Sequence, residues 1–487
     1  MTQSTVSTLK ALTVAGLMGV AAAQAATIVI TSRDPAGVGF NDTTVVAPVG
    51  GNPGTTLGQQ RLNVYRAAAN IWEANLQSNV TITVSAGWEA LNCTANSATL
   101  GSAGAWNIWS DFTGGVPATW YPQALANKLF GTDIPTFVGQ LDDGSGYGNV
   151  DIKTQFNVNL GKPGCLTGTP FYLGLDGNAG AQVNFMTTLL HELGHGLGFS
   201  VLTVNTATGS RFLGLPSIWE GFMQDTSTGK TWLQMTNAER AASTLNFRRL
   251  AWNGANATAG VPNVLSLGVP VLAISGINAG SAAGQYEVGT ASFGPALNAL
   301  GVTGELMPVV SNTTAAGATG PGCGPLTALD ALAVNGKIAM INRGVCGFAV
   351  KTKNAQNAGA IGVVIADNQV GSPAGLGGAD PTVTIPAVRI SLADANAIRV
   401  RLATRSRTHS GVFAKLGVNG SQYAGADLLG RPLLYTPNPR IGGSSVSHWD
   451  TIATRNLLME PSINADLTTS LIPPQDLTLP LLKDMGW

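Results

Sequence analysis

The sequence predicts an α+β domain interrupted by an inserted α/β domain. Three observations predict it. From residue 26 the chain runs through a strand, a helix and a second strand. A block from about residue 268 to 405 turns rich in Gly, Ala and Val and carries its own β-α-β pattern. The last stretch, 406–487, is too short and loop-rich to fold alone, so it is expected to rejoin the first domain.

Taken in order, "ATIVITSRD" reads as the first strand. "LGQQRLNVYRAAANIWEANLQSN" reads as a helix, with Leu62, Tyr65, Ala69 and Trp72 on one apolar stripe, and "VTITVSAGW" alternates as a strand. A further strand-like run, "VDIKTQFNVNLG", and the turn "GLDGNAG" lead into a helix expected over roughly 183–199. Its stripe is Val183, Met186, Leu190, Leu193 and Leu197. Mixed helix and loop follow to about Ala257, and these segments make up a first part spanning 26–267. In the inserted block, 268–405, strand-like "KIAMINRG" and "GVVIADN" flank the helix-like "FAVKTKNAQNAGA".

Composition narrows the function. Lys plus Arg equals Asp plus Glu at 26 each, so no net charge draws the chain to nucleic acid or an anionic membrane. The start, "MTQSTVSTLKALTVAGLMGVAAAQA", has one Lys, an apolar run from Ala11 to Ala23 and the small-x-small site Ala23-Gln24-Ala25, the pattern of a cleaved signal peptide over 1–25. That run of about 13 residues is shorter than the roughly 20 needed to span a bilayer, so a secreted or periplasmic product without a membrane anchor is expected. The four cysteines suit an exported, disulfide-bonded chain. Three connectivities are open to them. The short separation favours Cys323 with Cys346, leaving Cys93 with Cys165, and no C-x-x-C pair suggests a Cys-ligated metal.

The chemistry lies in "TTLLHELGHGLGFSV". His191-Glu192-Leu193-Gly194-His195 is H-E-x-x-H, and on a helix its two imidazoles lie one turn apart, where both can reach one Zn2+. At about 100° per residue, the histidines fall about 140° from the centre of the apolar stripe, so the stripe can face a core while they face a cleft. Glu192 stands beside them and can take a proton from a zinc-bound water and deliver it to a leaving amine.

Such sites usually take a third protein ligand. In the pattern H-E-x-x-H-x-x-G-x-x-H, Gly198 is the turn glycine and position 201 the ligand, but Val201 stands there. A nearby carboxylate, Glu220 or Asp225, or a distant histidine is left. His448, in "SSVSHWD", precedes Met459, in "NLLMEP", much as a ligand precedes a Met-turn. His409, among basic residues in "RSRTHSG", reads as an exposed loop histidine. No motif assigns Tyr423 or Tyr435 to a developing oxyanion.

This combination resembles the leishmanolysin-like metzincins, in which a long insertion separates the glycine after H-E-x-x-H from a third histidine in an H-W context, followed by an L-M-x-P turn. The closing "LTLPLLKDMGW" is similar to the end of that family's catalytic domain, and the resemblance spans about 26–260 and 410–487. It implies His191, His195 and His448 as zinc ligands, Glu192 as general base and Met459 beneath the metal. The implied activity is that of a secreted zinc metalloendopeptidase acting on protein or peptide substrates. The segment from "CGPLTALDALAV" through "INRGVCGF" to "AGAIGVVIADN" resembles the protease-associated (PA) domain inserted in several exported peptidases, which implies a role in access or substrate handling. Two other readings stay open: a zincin with Glu220 as third ligand, and a non-catalytic secreted binding protein. The intact Glu192 weighs against the latter, since a structural zinc needs ligands but no base.

Overall fold

The structure is a computed structural model that describes residues 24–137, 148–311, 319–464 and 466–487. The expected signal segment lies almost wholly outside the described residues. No helix among the described residues is long and apolar enough to cross a membrane.

The first unit is built on a four-stranded sheet. Strand β1 (Ile28–Ser32) crosses over through helix α1 (Leu57–Asn75) to β2 (Ile82–Glu89); Thr56 caps α1 by accepting the Gln59 N–H. Strands β3 (Gly101–Ala105) and β4 (Ile152–Asn157) complete the order β1-β2-β4-β3. The first three are parallel in space, and β3 runs antiparallel to β4 as the sheet edge. Helix α2 (Phe185–Gly196) carries the H-E-x-x-H motif and packs on α1, β3 and β4. Gly196 permits this approach, because a Cβ there would lie 2.3 Å from the Ile152 side chain. Tyr65 and Thr154 hydroxyls, 2.6 Å apart, join α1 to β4, and Trp88, Phe156 and Phe185 meet ring to ring above them.

The motif helix is shorter than the expected 183–199. Val183 and Asn184 pair with Phe171 and Tyr172 as a short parallel bridge, so the helix starts after them. Every residue from Phe185 to Gly196 is buried, including the histidine face opposite the apolar stripe, although that face lines a cleft.

The inserted unit is an eight-stranded mixed sheet. Its strands are β5 (Leu267–Ser275), β6 (Gly284–Glu287), β7 (Gly289–Thr290), β8 (Val302–Pro308), β9 (Ile338–Asn342), β10 (Gly362–Ala366), β11 (Ala387–Ile390) and β12 (Phe413–Tyr423). They lie in the order β6-β5-β12-β8-β9-β10-β11-β7. Helices α3 (Ala328–Val334) and α4 (Phe348–Asn357) connect β8 to β9 and β9 to β10 within the parallel run β8 to β11, α5 (Leu392–Leu402) leads from β11 to β12, and each face of the sheet has its own apolar core. Since β12 pairs with β5, the unit extends past the expected end at 405 to about residue 423. Leu267 and Tyr423 are register partners, so the insertion leaves and re-enters the first unit at one place.

After β12 the chain rejoins the first core, contributing Leu434, Trp449, Met459, Leu477 and Leu481. The last helix, α6 (Thr478–Met485), supplies Asp484, which accepts from Trp252 Nε1 (2.9 Å) and from the N–H groups of Asn256 and Ala257, capping the helix that leads into β5. The cysteines pair as Cys93–Cys165 and Cys323–Cys346.

Candidate metal centre

Asn184 starts α2 by accepting the Thr187 N–H. The helix stops beyond His195 because Gly198 takes φ +116°, a value that side chains resist. That turn folds Phe199 back, so that its carbonyl accepts from His195 Nδ1 at 2.7 Å. His191 Nδ1 donates to the Leu458 carbonyl at 2.7 Å, and His448 Nδ1 donates to the Ser444 carbonyl at 2.8 Å.

A carbonyl only accepts, so all three rings carry their proton on Nδ1 and turn an Nε2 lone pair inward. The three Nε2 atoms converge: that of His195 lies 3.1 Å from that of His191 and 3.1 Å from that of His448. Three lone pairs so close repel unless a cation stands among them. Nitrogens in tetrahedral zinc sites, at about 2.0–2.1 Å from the metal, lie about 3.4 Å from one another, so the donor set fits such an ion. Burial lowers the pKa of His191 to about 4 and, with the neighbouring His191, that of His448 to about 3; burial and both neighbours push His195 well down. The rings are therefore neutral, as ligands must be. Among the described residues these three histidines form the only such group of His, Cys, Asp and Glu.

Glu192 shares a cleft of about 930 Å3 with them. Burial raises its carboxyl to about 8, against the effect of a hydrogen bond from the Ala103 N–H of edge strand β3. The opposite wall comes from Glu460 to Asn464 and Leu467. Met459 is fully buried against Gly194 of α2, and its carbonyl accepts the Trp449 N–H at 2.8 Å, tying its turn to the His448 loop.

Val201 occupies the place where the shorter motif would carry its ligand. Its N–H donates to Ser447 Oγ at 3.1 Å, so the returning chain lays His448 beside that position. Glu220 is committed elsewhere: Arg211 Nε donates to it at 2.8 Å, and it accepts the Ser217 N–H. Asp225 accepts from Ser227 and Asn246. His409 pairs with Glu305 on an exposed loop. Neither Tyr423 nor Tyr435 lines the cleft, although the Tyr435 N–H donates to the His448 carbonyl.

Several site residues escaped sequence reasoning. Asp476 accepts the Leu458 N–H at 2.6 Å and so pins the residue whose carbonyl holds His191, but it stands in no motif. Ala103 acts through its backbone, which any residue has. Glu460 was within reach, as an acid directly after Met459.

The PA domain family matches residues 302–398, and the chain contains that domain. Human "ER degradation-enhancing alpha-mannosidase-like protein 3" is 55% identical over 51 residues, 10% of this chain and 5% of that protein. The "Probable lipoprotein aminopeptidase LpqL" of Mycobacterium tuberculosis is 34% identical over 122 residues, 25% of this chain and 22% of its own length. The chain thus spans less than a quarter of either curated relative. Among solved structures, an aminopeptidase from Aneurinibacillus sp. strain AM-1 matches with 29% identity and a TM-score of 0.24, over 32% of this chain and 31% of that one. A zinc aminopeptidase from Bacillus subtilis matches with 23% identity and a TM-score of 0.22, over 34% and 35%.

Proposed function

We propose that the chain is a secreted zinc-dependent endopeptidase of the leishmanolysin-like metzincin type. In this reading the catalytic domain, expected to start at residue 26, is split by the PA-containing insertion, and His191, His195 and His448 are the metal ligands. One observation carries it: three buried imidazoles, each with Nδ1 committed to a carbonyl, turn three Nε2 atoms to one point beside a buried glutamate.

A zinc ion held there would polarise a scissile carbonyl and acidify a water. Glu192 takes the proton of the attacking water and passes it to the leaving amine, and the raised affinity of its carboxyl for a proton suits that transfer. The Ala103 N–H orients that carboxyl. Strand β3, as the sheet edge bordering the cleft, offers an extended peptide a partner for backbone pairing, which supports cleavage within a chain. Met459 packs beneath the ligands and keeps the third histidine's loop in register through Trp449.

The test is bound zinc per chain in wild type, His448→Ala and Glu220→Ala, with casein hydrolysis on the same samples. About one zinc with cleavage in wild type, both lost in His448→Ala alone, is expected. Loss of zinc in Glu220→Ala instead would overturn the ligand set, and zinc without hydrolysis would favour a binding protein. Cleavage of a peptide with a blocked amino terminus separates endopeptidase from aminopeptidase action.

A further inference from the structure

The loop that presents His448 is tied to the inserted unit by one arginine. Asp450, two residues past His448, is 1% exposed. Its Oδ1 accepts the Ile452 N–H at 3.0 Å and faces Arg248 Nε at 3.5 Å, while Oδ2 has no hydrogen-bond partner. Arg248 is the cation paired with this buried carboxylate. Its backbone takes φ 55°, in the left-handed region, and its guanidinium lies over the Phe247 ring and donates from Nη1 to the Val288 carbonyl of the inserted unit at 3.4 Å. The next residue, Arg249, pairs with Glu287 of β6 at 2.8 Å. Two successive arginines of the first unit thus grip one corner of the insertion, and one of them also reaches the metal loop.

That loop is braced by backbone bonds. Tyr435 N–H donates to the His448 carbonyl and Asp450 N–H to the Leu433 carbonyl, while Leu434 N–H reaches the Leu250 carbonyl, two residues from Arg248. A buried carboxylate that loses its cation is left uncompensated and is drawn toward water. Movement at Asp450 carries His448 with it, because both hang on the 433–435 segment. The left-handed backbone at Arg248 persists because contacts on both sides hold it.

We propose that Arg248 is a positioning residue for the third histidine: anchored by Val288 of the inserted unit, it fixes the Asp450 carboxylate and with it the loop that presents His448. The insertion then sets how tightly the metal is held, apart from any part it has in substrate handling. This rests on His448 being a ligand.

The test uses the full chain with Co2+ as probe. Its dissociation constant is read by chelator competition and visible absorption, with kcat and KM on casein alongside. Arg248→Gln is expected to weaken Co2+ binding about tenfold or more, the scale seen when partners outside the ligand set are lost. It should lower kcat while KM changes little, and Arg248→Lys should restore most of the affinity. The double variant Arg248→Gln/Asp450→Asn should be no weaker than either single one. Should Arg248→Gln fail to fold, Glu287→Lys sets a cation against both arginines from the side of the inserted unit, and a several-fold weaker Co2+ affinity is expected. Wild-type affinity in the folded Arg248→Gln, or in Glu287→Lys where the first cannot be read, overturns the proposal. His448→Ala separates the two failures: if it binds Co2+ like wild type, the ligand reading itself is wrong.

Discussion

Gly194 and Met459 are fitted to each other: a Cβ on Gly194 would stand 2.8 Å from the Met459 sulfur. The variable position just before the second histidine of the motif is therefore constrained by a residue far along the chain. Gly194→Ala forces Met459 out of its place or α2 away from it. An overpacked core of this kind costs about 1–3 kcal/mol, and the shift spreads the Nε2 atoms. Thermal unfolding and zinc content should fall together; a variant with unchanged values would show that Met459 is free to yield.

Glu192→Gln should keep the metal and lose turnover. Glu192 touches none of the Nδ1–carbonyl bonds that orient the rings, so ligand geometry is preserved. With Glu192 in the proposed role of proton carrier, its loss is expected to lower kcat by about 10²–10⁴-fold. A variant that loses zinc as well would mean the carboxylate belongs to the ligand set.

Glu220→Ala should destabilise without touching the metal. The carboxylate is wholly buried and its loss strands Arg211, whose side chain is 15% exposed. Breaking one side of such a pair costs about 3–5 kcal/mol. Denaturant unfolding of the metal-free chain reads this directly, and a cost below about 1 kcal/mol, the range of an exposed pair, would refute it.

Asp151 should make stability depend on pH. It is 1% exposed and accepts from the Thr83 N–H and Asn127 Nδ2, yet burial lifts its carboxyl from 3.8 to about 7. Between those values the folded chain keeps a proton that the unfolded chain releases. This group therefore lowers stability as pH rises from about 4 to about 7, by up to about 1.4 kcal/mol per pH unit. In metal-free protein, Asp151→Asn should lack that component. Parallel pH curves for the two proteins would exclude it.

The parts legible in the sequence were those with a fixed spacing. H-E-x-x-H, the glycine after it and the H-W and L-M-x-P pair carry their meaning in order and distance, so they nominate His191, His195, His448 and Met459 together, and the structure brings the three histidines into one cluster. Periodicity did less well. On α1 Tyr65, Ala69 and Trp72 are fully buried, but Leu62, placed on the same stripe, is 44% exposed, because the buried face runs through Val64 and Ala68 instead. The far boundary of the insertion was missed because "FAKLGVNGSQY" is a strand by its pairing with β5, not by alternation. The carbonyls of Leu458, Phe199 and Ser444 are invisible to any reading by residue type.

His195 and His448 are 253 residues apart along the chain, yet the pairing of Leu267 with Tyr423 short-circuits much of that distance. Once β5 and β12 have zipped, the path that must close to bring the two rings together is about 100 residues, and the logarithmic rule for ring closure puts the entropy saved at about 1 kcal/mol. The contour length stored beyond that zipper drops out of the closure. The insertion can lengthen without making the histidine cluster harder to assemble, provided its first and last strands stay neighbours.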